Sequence, residues 1–308
     1  MRNLAQSKLG TRIRNNIPLA IMCLPALAYI ICFNYLPMFG VVIAFKDYNY
    51  VDGILGSPWV GFEHFKFFFE SNEAAVLLRN TILYNVLFII LSTFLKVLVA
   101  LFLYEITSRV FLKSYQTAII LPNFISWVLV AYIGYALFAS ETGMLNSILR
   151  SMGDKPIQWY SEPKYWPFIL TIFEMWKGVG MGCIIYYAAL MGVDKSLYEA
   201  AEIDGANRLK QITNISIPTI LPTICILLIM SVGGILGGDF GLFYQLPRNS
   251  GALYPATDVI STYVYRGLQS GDLGRTAAIG LFQNFVGLVL TLGTNLFIKK
   301  FNPENAMF

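Results

Sequence analysis

Three ionisable side chains, Lys96, Glu174 and Lys177, lie inside long apolar runs of this 308-residue sequence. In hydrocarbon each costs at least about 2.5 kcal/mol, so each needs a partner or a purpose. Glu174 and Lys177 are three residues apart, which puts them on one helix face, where they either neutralise one another or line a passage. Lys96 can snorkel, pair with another helix or touch a solute. Asn85, Asn123, Ser126, Trp127, Tyr135, Trp176, Gln283 and Asn284 also fall in apolar runs. Their polar groups must find partners in a helix bundle or water in a cavity. Singly, the amides serve as interhelical glue and the aromatics as packing or interface anchors. As a set they fit a polar path across a membrane. Gly178, Gly180 and Gly182, with Gly233, Gly234, Gly237 and Gly238, permit close helix contact or local unwinding.

Bond-making chemistry finds little support. His64 is the only histidine, and Cys23, Cys32, Cys183 and Cys225 sit in apolar runs without metal-type spacing, as small buried hydrophobes do. No Gly-x-x-x-x-Gly-Lys-Ser/Thr occurs, and GSPWVG at 56–61 is not a phosphate loop. The sequence therefore offers no catalytic residue, no metal site and no nucleotide site. It also has no basic stripe of the kind nucleic acid requires.

The elements that must position these residues are membrane spans. The chain is 56% hydrophobic and 13% charged, against about 25% charged in soluble domains. An uncleaved first span is expected at Ile17 to Phe45, where Pro25 and Pro37 could kink or shorten it. Further spans are expected at Asn80 to Tyr104, Gln116 to Phe138, Trp166 to Met191, Ile215 to Leu236 and Ala277 to Ile298. This makes an all-α polytopic membrane protein with six transmembrane helices in one domain over residues 1–308. Lys and Arg number about eleven in roughly 60 residues on the amino-terminal side and about nine in roughly 100 opposite, which places both termini, including residues 1–16 with Arg2, Lys8, Arg12 and Arg14, in the cytoplasm. In the first outer loop, Trp59, Phe62, Phe65 and Phe69 recur at helical spacing and predict an interfacial helix. The third outer loop, 237–276, is long enough to fold back on the mouth of the bundle or meet a partner.

One stretch does not belong to any span. Residues 195–222 form a polar, helix-prone island where a short turn would suffice. Ser196 and Glu199 make a capping-box pattern, Gly205 supplies a left-handed stop, and Asn207 can cap a second helix that runs to Pro218 and Pro222. The prediction is helix, sharp bend, helix. On the inner side by charge count, it is either a docking element or an ordinary solvated loop.

Glu199, Ala200, Ala201, Gly205, Ile215 and Pro218 resemble the EAA loop of binding-protein-dependent ABC importer permeases: E-A-A, three residues, G, nine residues, I-x-L-P. All spacings match, and Ile217 replaces the usual Leu at similar volume. The stretches NYLPMFGVVIAFKDYN, SPWVGFEHF and DVISTYVYR to GLFQNFVGLVL are similar to oligosaccharide-type permeases of Gram-positive bacteria. The resemblance implies a type I importer fold in the bacterial cytoplasmic membrane. It implies that 195–222 is a cytoplasmic coupling loop in which Glu199, Ala200, Ala201, Asp204 and Gly205 meet an ATPase. The implied partners are a second, related permease subunit, two ATPase copies that hold ATP and Mg, and an extracytoplasmic solute-binding lipoprotein.

A saccharide cargo presents hydroxyls and flat C–H faces, for which Asn123, Trp127, Tyr135, Glu174, Trp176, Lys177 and Asn284 are the candidate path residues. An ion-coupled secondary carrier is the alternative, but it would favour repeated halves and several intramembrane acids. A membrane-embedded enzyme would want clustered acids or histidines near a membrane face, whereas the acids here are scattered apart from the EAA-like segment.

Overall fold

The computed structural model describes residues 21–301 together with residues 16 and 303; the expected cytoplasmic segment 1–16 falls almost wholly outside the described residues, as does the start of the first span at 17–20. The chain divides into two compact units, one up to Lys66 with Asp272–Leu281, the other Phe67–Gly271 with the residues from Phe282 on.

In the smaller unit, α1 (Ile21–Phe45) is long and apolar enough to cross a membrane. It loosens to a π-turn at Ile31–Tyr35 and tightens to a 3-10 helix at Leu36–Phe45, with Pro37 at its start; neither proline ends it early. A hairpin follows, in which Lys46 and Trp59 form an antiparallel bridge. The Lys46 ammonium is buried, donating to the carbonyls of Ile54 at 2.7 Å and Leu55 at 2.9 Å beneath the Trp59 ring. The expected interfacial helix is therefore shorter than its aromatic spacing suggested. Trp59 is committed to the hairpin and Gly61 turns the chain at φ +62°, so α2 (Glu63–Glu70) begins only after Phe62.

The larger unit is built on α3 (Asn72–Tyr104), capped by the Ser71 hydroxyl on the Ala74 amide. Next come α4 (Arg109–Ile120), α5 (Trp127–Phe138), α6 (Met144–Ser151) and α7 (Trp166–Met191), the last packed along α3. α8 (Lys195–Ile203) and α9 (Arg208–Gln211) lead through a π-turn at Ile212–Ser216 into α10 (Ile217–Gly233), so that Arg208–Gly233 is one candidate span. α11 (Ile260–Ser270) and α12 (Leu273–Phe301) complete the chain. Among the described residues there is no strand.

The third expected span is the main departure. Gln116 to Phe138 is not one rod: Pro122 interrupts it, Leu121–Phe124 is a 3-10 turn, Ile125 is extended, and α4 with its turn meets α5 at 94°. Pro122 removes an amide and clashes with the preceding turn. The Ser126 hydroxyl then accepts from the Leu129 amide and restarts the helix. The six-span count holds when this bent pair is one span.

Residues 254–262 fold back onto α3. Asn80 Nδ2 donates to the carbonyls of Pro255 and Asp258, Tyr84 donates to Ala256, and Thr81 accepts from the Ile260 amide. An aromatic core of Tyr84, Phe88, Trp166, Phe173 and Phe243 lies beneath. A second core joins Ala100, Leu103, Cys183, Tyr186, Leu190 and Ile220. Cys183 is buried as expected, whereas Cys23 and Cys32 are exposed on α1.

Glycine does the work expected of it at two helix crossings. A methyl on Gly180 would strike the Ile119 carbonyl, and one on Gly287 would strike that of Gly233. Gly180→Ala should lower the melting temperature of the detergent-purified protein by an amount equivalent to about 1–3 kcal/mol. Gly293→Ala, which meets open space inside α12, should raise it slightly, alanine being the better helix former by about 1 kcal/mol. Equal melting of both variants would show that the α4–α7 approach is not tight.

Candidate functional site

The island at 195–222 is a bent elbow whose geometry is fixed at every joint. Its first cap is Asp194, not the predicted Ser196 and Glu199 pair. α7 ends at Gly192, so α8 starts early enough for the Asp194 carboxylate to accept the Ser196 amide at 2.9 Å. That bond holds the Asp194 carboxyl below its usual range. At the other end Gly205 takes φ +76°, Ala206 N–H reaches the Ala201 carbonyl at 2.8 Å and Gly205 N–H reaches Glu202 at 3.1 Å, a complete Schellman closure. Asn207 then caps α9 through the Lys210 amide at 3.0 Å. Buried Gln211 ties the bend from below, donating to the Ala206 carbonyl and accepting from Arg208.

The elbow is anchored on one side and bare on the other. Tyr198 packs on Tyr104 and shares a 2.9 Å hydrogen bond with the buried Ser216 hydroxyl. Glu199, Ala200, Glu202, Asp204 and Gly205 are exposed and Ala201 is half-buried. Ile203 is 87% exposed and Leu209 71%, with Leu197 nearby at 50%. Large apolar side chains displayed together with small residues and acids are what a protein partner would cover. Ile203 and Leu209 were not singled out from sequence, although an Ile and a Leu flanking the left-handed Gly205 are visible there.

A second constellation surrounds the break between α4 and α5. Lys177 does not pair with Glu174: its ammonium donates to the Asn123 carbonyl at 2.8 Å and lies 5.3 Å from the Trp127 ring centroid. Trp127 Nε1 donates to Asp239 at 2.6 Å, and the other Asp239 oxygen accepts the Gly241 and Leu242 amides. Gly241 lies so close under the indole that any side chain there would collide. Glu174 is in electrostatic range of Asp239, Lys96 and Lys177, so two acids face two amines. Lys96 reaches across from α3 to lie over Gly182. Asn123, Trp127, Glu174 and Lys177 are thus brought together, and Asp239 joins them. Asp239 was missed because it follows the fifth apolar run, although it is the one acid in GGILGGDFG.

Two turns along α5 from Trp127, Tyr135 stands in a different environment. The Arg248 guanidinium lies 4.3 Å from its ring centroid, and Tyr160 packs against it. Burial pushes the Tyr160 hydroxyl up to about 12. Trp176, 42% exposed, makes an edge contact with Phe173, and Asn284 is exposed on α12; the structure does not bring either into the cluster at the break. No cluster of three metal-ligating side chains occurs among the described residues.

Known proteins share this architecture throughout. The family model described as "Binding-protein-dependent transport system inner membrane component" matches residues 16–304. Protein LplB of Bacillus subtilis (strain 168) is 36% identical over 287 residues, covering 93% of this chain and 90% of that protein. The polygalacturonan/rhamnogalacturonan transport system permease protein YteP of the same organism is also 36% identical over 287 residues, covering 93% and 89%. A crystal structure of a bacterial ABC transporter involved in the import of the acidic polysaccharide alginate contains a chain that superposes with a TM-score of 0.87 at 33% identity, covering 96% of this chain and 99% of that one. A match across nearly the whole length, in both sequence and fold, is membership: the chain belongs to the inner membrane component family of binding-protein-dependent transport systems.

Proposed function

We propose that this multi-pass protein is the permease subunit of an ATP-driven importer in a bacterial cytoplasmic membrane, with oligosaccharides or polysaccharide fragments as cargo. The observation that carries the reading is the elbow: a rigid bend with EAA spacing, built into the foot of a span, displaying Ile203 and Leu209 with nothing over them. Both termini and residues 195–222 lie in the cytoplasm by the distribution of Lys and Arg. There the elbow docks on an ATPase, with Glu199, Ala200, Ala201, Asp204 and Gly205 at the contact; ATP and Mg belong to that partner. A second, related permease completes the path, two ATPase copies drive it, and an extracytoplasmic solute-binding lipoprotein delivers cargo. Support for the cargo class comes from relatives named for polygalacturonan/rhamnogalacturonan and arabinooligosaccharides transport. A neighbouring structure contains an alginate pentasaccharide-bound periplasmic protein. Asn123, Trp127, Tyr135, Glu174, Trp176, Lys177 and Asn284 are the proposed path residues of this half. The carrier and enzyme alternatives have no comparable support, since neither calls for a docking elbow.

Glu199→Lys and Gly205→Pro should each abolish uptake and strip the ATPase from the purified complex while leaving membrane insertion intact. Normal uptake in both variants removes the docking role. Ile203→Cys should react with an impermeant maleimide only from the cytoplasmic face, and labelling from outside would invert the topology. At the break, Trp127→Phe removes the indole donor but keeps the ring, and Asp239→Ala leaves two amides and that donor unpaired, at about 1–3 kcal/mol. Uptake should fall at least tenfold in Asp239→Ala and less in Asp239→Asn, which keeps an acceptor. Unchanged uptake in all three variants would place the path elsewhere.

A further inference from the structure

We propose that the wall containing Tyr135 is a carboxylate-receiving site built on Arg248, and that the cargo is therefore an acidic, uronate-bearing oligosaccharide. The inference rests on the permease reading above and narrows its substrate class.

The side chain of Arg248 is held in place yet has no carboxylate to meet. Arg248 and Asn249 both take left-handed backbone conformations, φ +55° and +48°, in a turn closed by Arg248 N–H to the Gln245 carbonyl and Asn249 N–H to the Tyr244 carbonyl. A non-glycine pair there is strained, and strain of this kind persists where surrounding contacts enforce it. Here the contacts are Tyr254 donating to the Asn249 side chain and Ser250 donating to the Tyr160 carbonyl. The turn aims the guanidinium over the Tyr135 ring. Other arginines spend their donors inside the protein: Arg266 on Asp258, Arg79 on Asn80 and Pro255, Arg150 on the carbonyls of Ser140 and Glu141. Among the described residues no acidic side chain lies within ion-pair distance of Arg248.

The space beside it suits a sugar acid. Two cavity lobes, about 260 Å³ and 410 Å³, share Tyr135 and Arg248. The first lobe has no acid in its lining; Gln245 and Asn249 add amide donors beside Arg248, and Tyr132 offers an aromatic face for the flat side of a pyranose. The second is lined by Ser140, Glu141, Thr142, Tyr160 and Ser250. Its Glu141 disfavours a second anion and accepts from sugar hydroxyls. The Tyr160 hydroxyl is buried in that wall without a hydrogen-bond partner, a vacancy that an oxygen-rich ligand would fill after a small rotation. A planar guanidinium grips a carboxylate through two parallel bonds, whereas a neutral sugar gives its fixed charge nothing to neutralise.

The test is uptake by cells carrying the complete transporter, in which this chain is replaced by variants. The probes are galacturonate, mannuronate and glucuronate trimers, each beside its methyl ester, with neutral glucan and arabinan trimers for comparison. The unmodified transporter should take up at least one free acid in preference to its ester. Arg248→Gln should raise the half-saturation concentration for that acid about tenfold, while Arg248→Lys, equally strained at φ +55° but still charged, should recover most of it. Esters taken up as well as acids, or an acid unaffected by Arg248→Gln, overturn the inference while leaving the permease reading standing. Loss of acidic and neutral cargo alike in Arg248→Gln would assign Arg248 to a protein partner and also overturn it. Uptake of no saccharide in the set would remove the saccharide reading and this inference together.

Discussion

Hydrocarbon supplies no hydrogen bonds, so a backbone that leaves the helix inside a membrane must be covered by the protein itself. The cluster around Trp127 follows from how this chain meets that demand at the break after Pro122. The Asn123 carbonyl, released by the missing turn, is taken by Lys177; the new helix start is taken by Ser126; the indole that opens α5 is taken by Asp239. A lysine that would be costly in lipid is thereby the group that makes a bent backbone tolerable there. Its carbonyl partner and its aromatic neighbour both come from the bent segment, so the cation and the break stabilise one another. Remove either and the other becomes a liability.

That arrangement explains what was legible beforehand and what was not. Spans whose apolar runs are uninterrupted read directly: Trp166 to Met191 emerges with its predicted limits. Gly205 and Asn207 read correctly because a left-handed stop and a side-chain cap are local properties of residue type. The third span misled because hydropathy averages over about 19 residues and is blind to direction; Pro122 was passed over, and whether a proline kinks a helix or ends it depends on whether Asn123 and Ile125 find cover from another element. The capping box failed for a related reason. Ser196 and Glu199 fit the pattern, but Asp194 stands two residues earlier and the limit of α7 decided which cap is used. Asp239 and Arg248 escaped notice because they lie beyond the apolar runs in sequence while lying beside Trp127 and Tyr135 in space. Only the fold-back of the chain after α10 brings them to Trp127 and Tyr135.

The elbow and the break are joined by one continuous stretch of chain. From Asn207 the helix runs through Arg208–Gly233, 26 residues or about 39 Å at 1.5 Å per residue. Its elbow end is held by Gln211 on the Ala206 carbonyl and by the Ser216 hydroxyl on Tyr198, whose ring packs in turn on Tyr104 of α3. The π-turn at Ile212–Ser216 precedes Pro218 and widens the helix where a proline would otherwise crowd the preceding turn. The joint between elbow and span is thus a bulge within a helix rather than a loop.

At the upper end the rod reaches glycine. Gly233 lies against Gly287 at a close crossing, where the Thr291 hydroxyl, bonded to the Gly287 carbonyl, fills the space a Gly233 side chain would need. Gly234, Gly237 and Gly238 follow, Gly238 at φ +108°, and then comes Asp239, bonded to Trp127. Continuous helix therefore links the elbow that carries Ile203 and Leu209 to a run of glycines and, one residue past it, to the carboxylate that holds the bent span. The chain places glycine at the far end of the rod and hydrogen-bonded caps at the elbow end. That order suits the docking role proposed for the elbow, because a flexible foot would dissipate a movement before it reached the break.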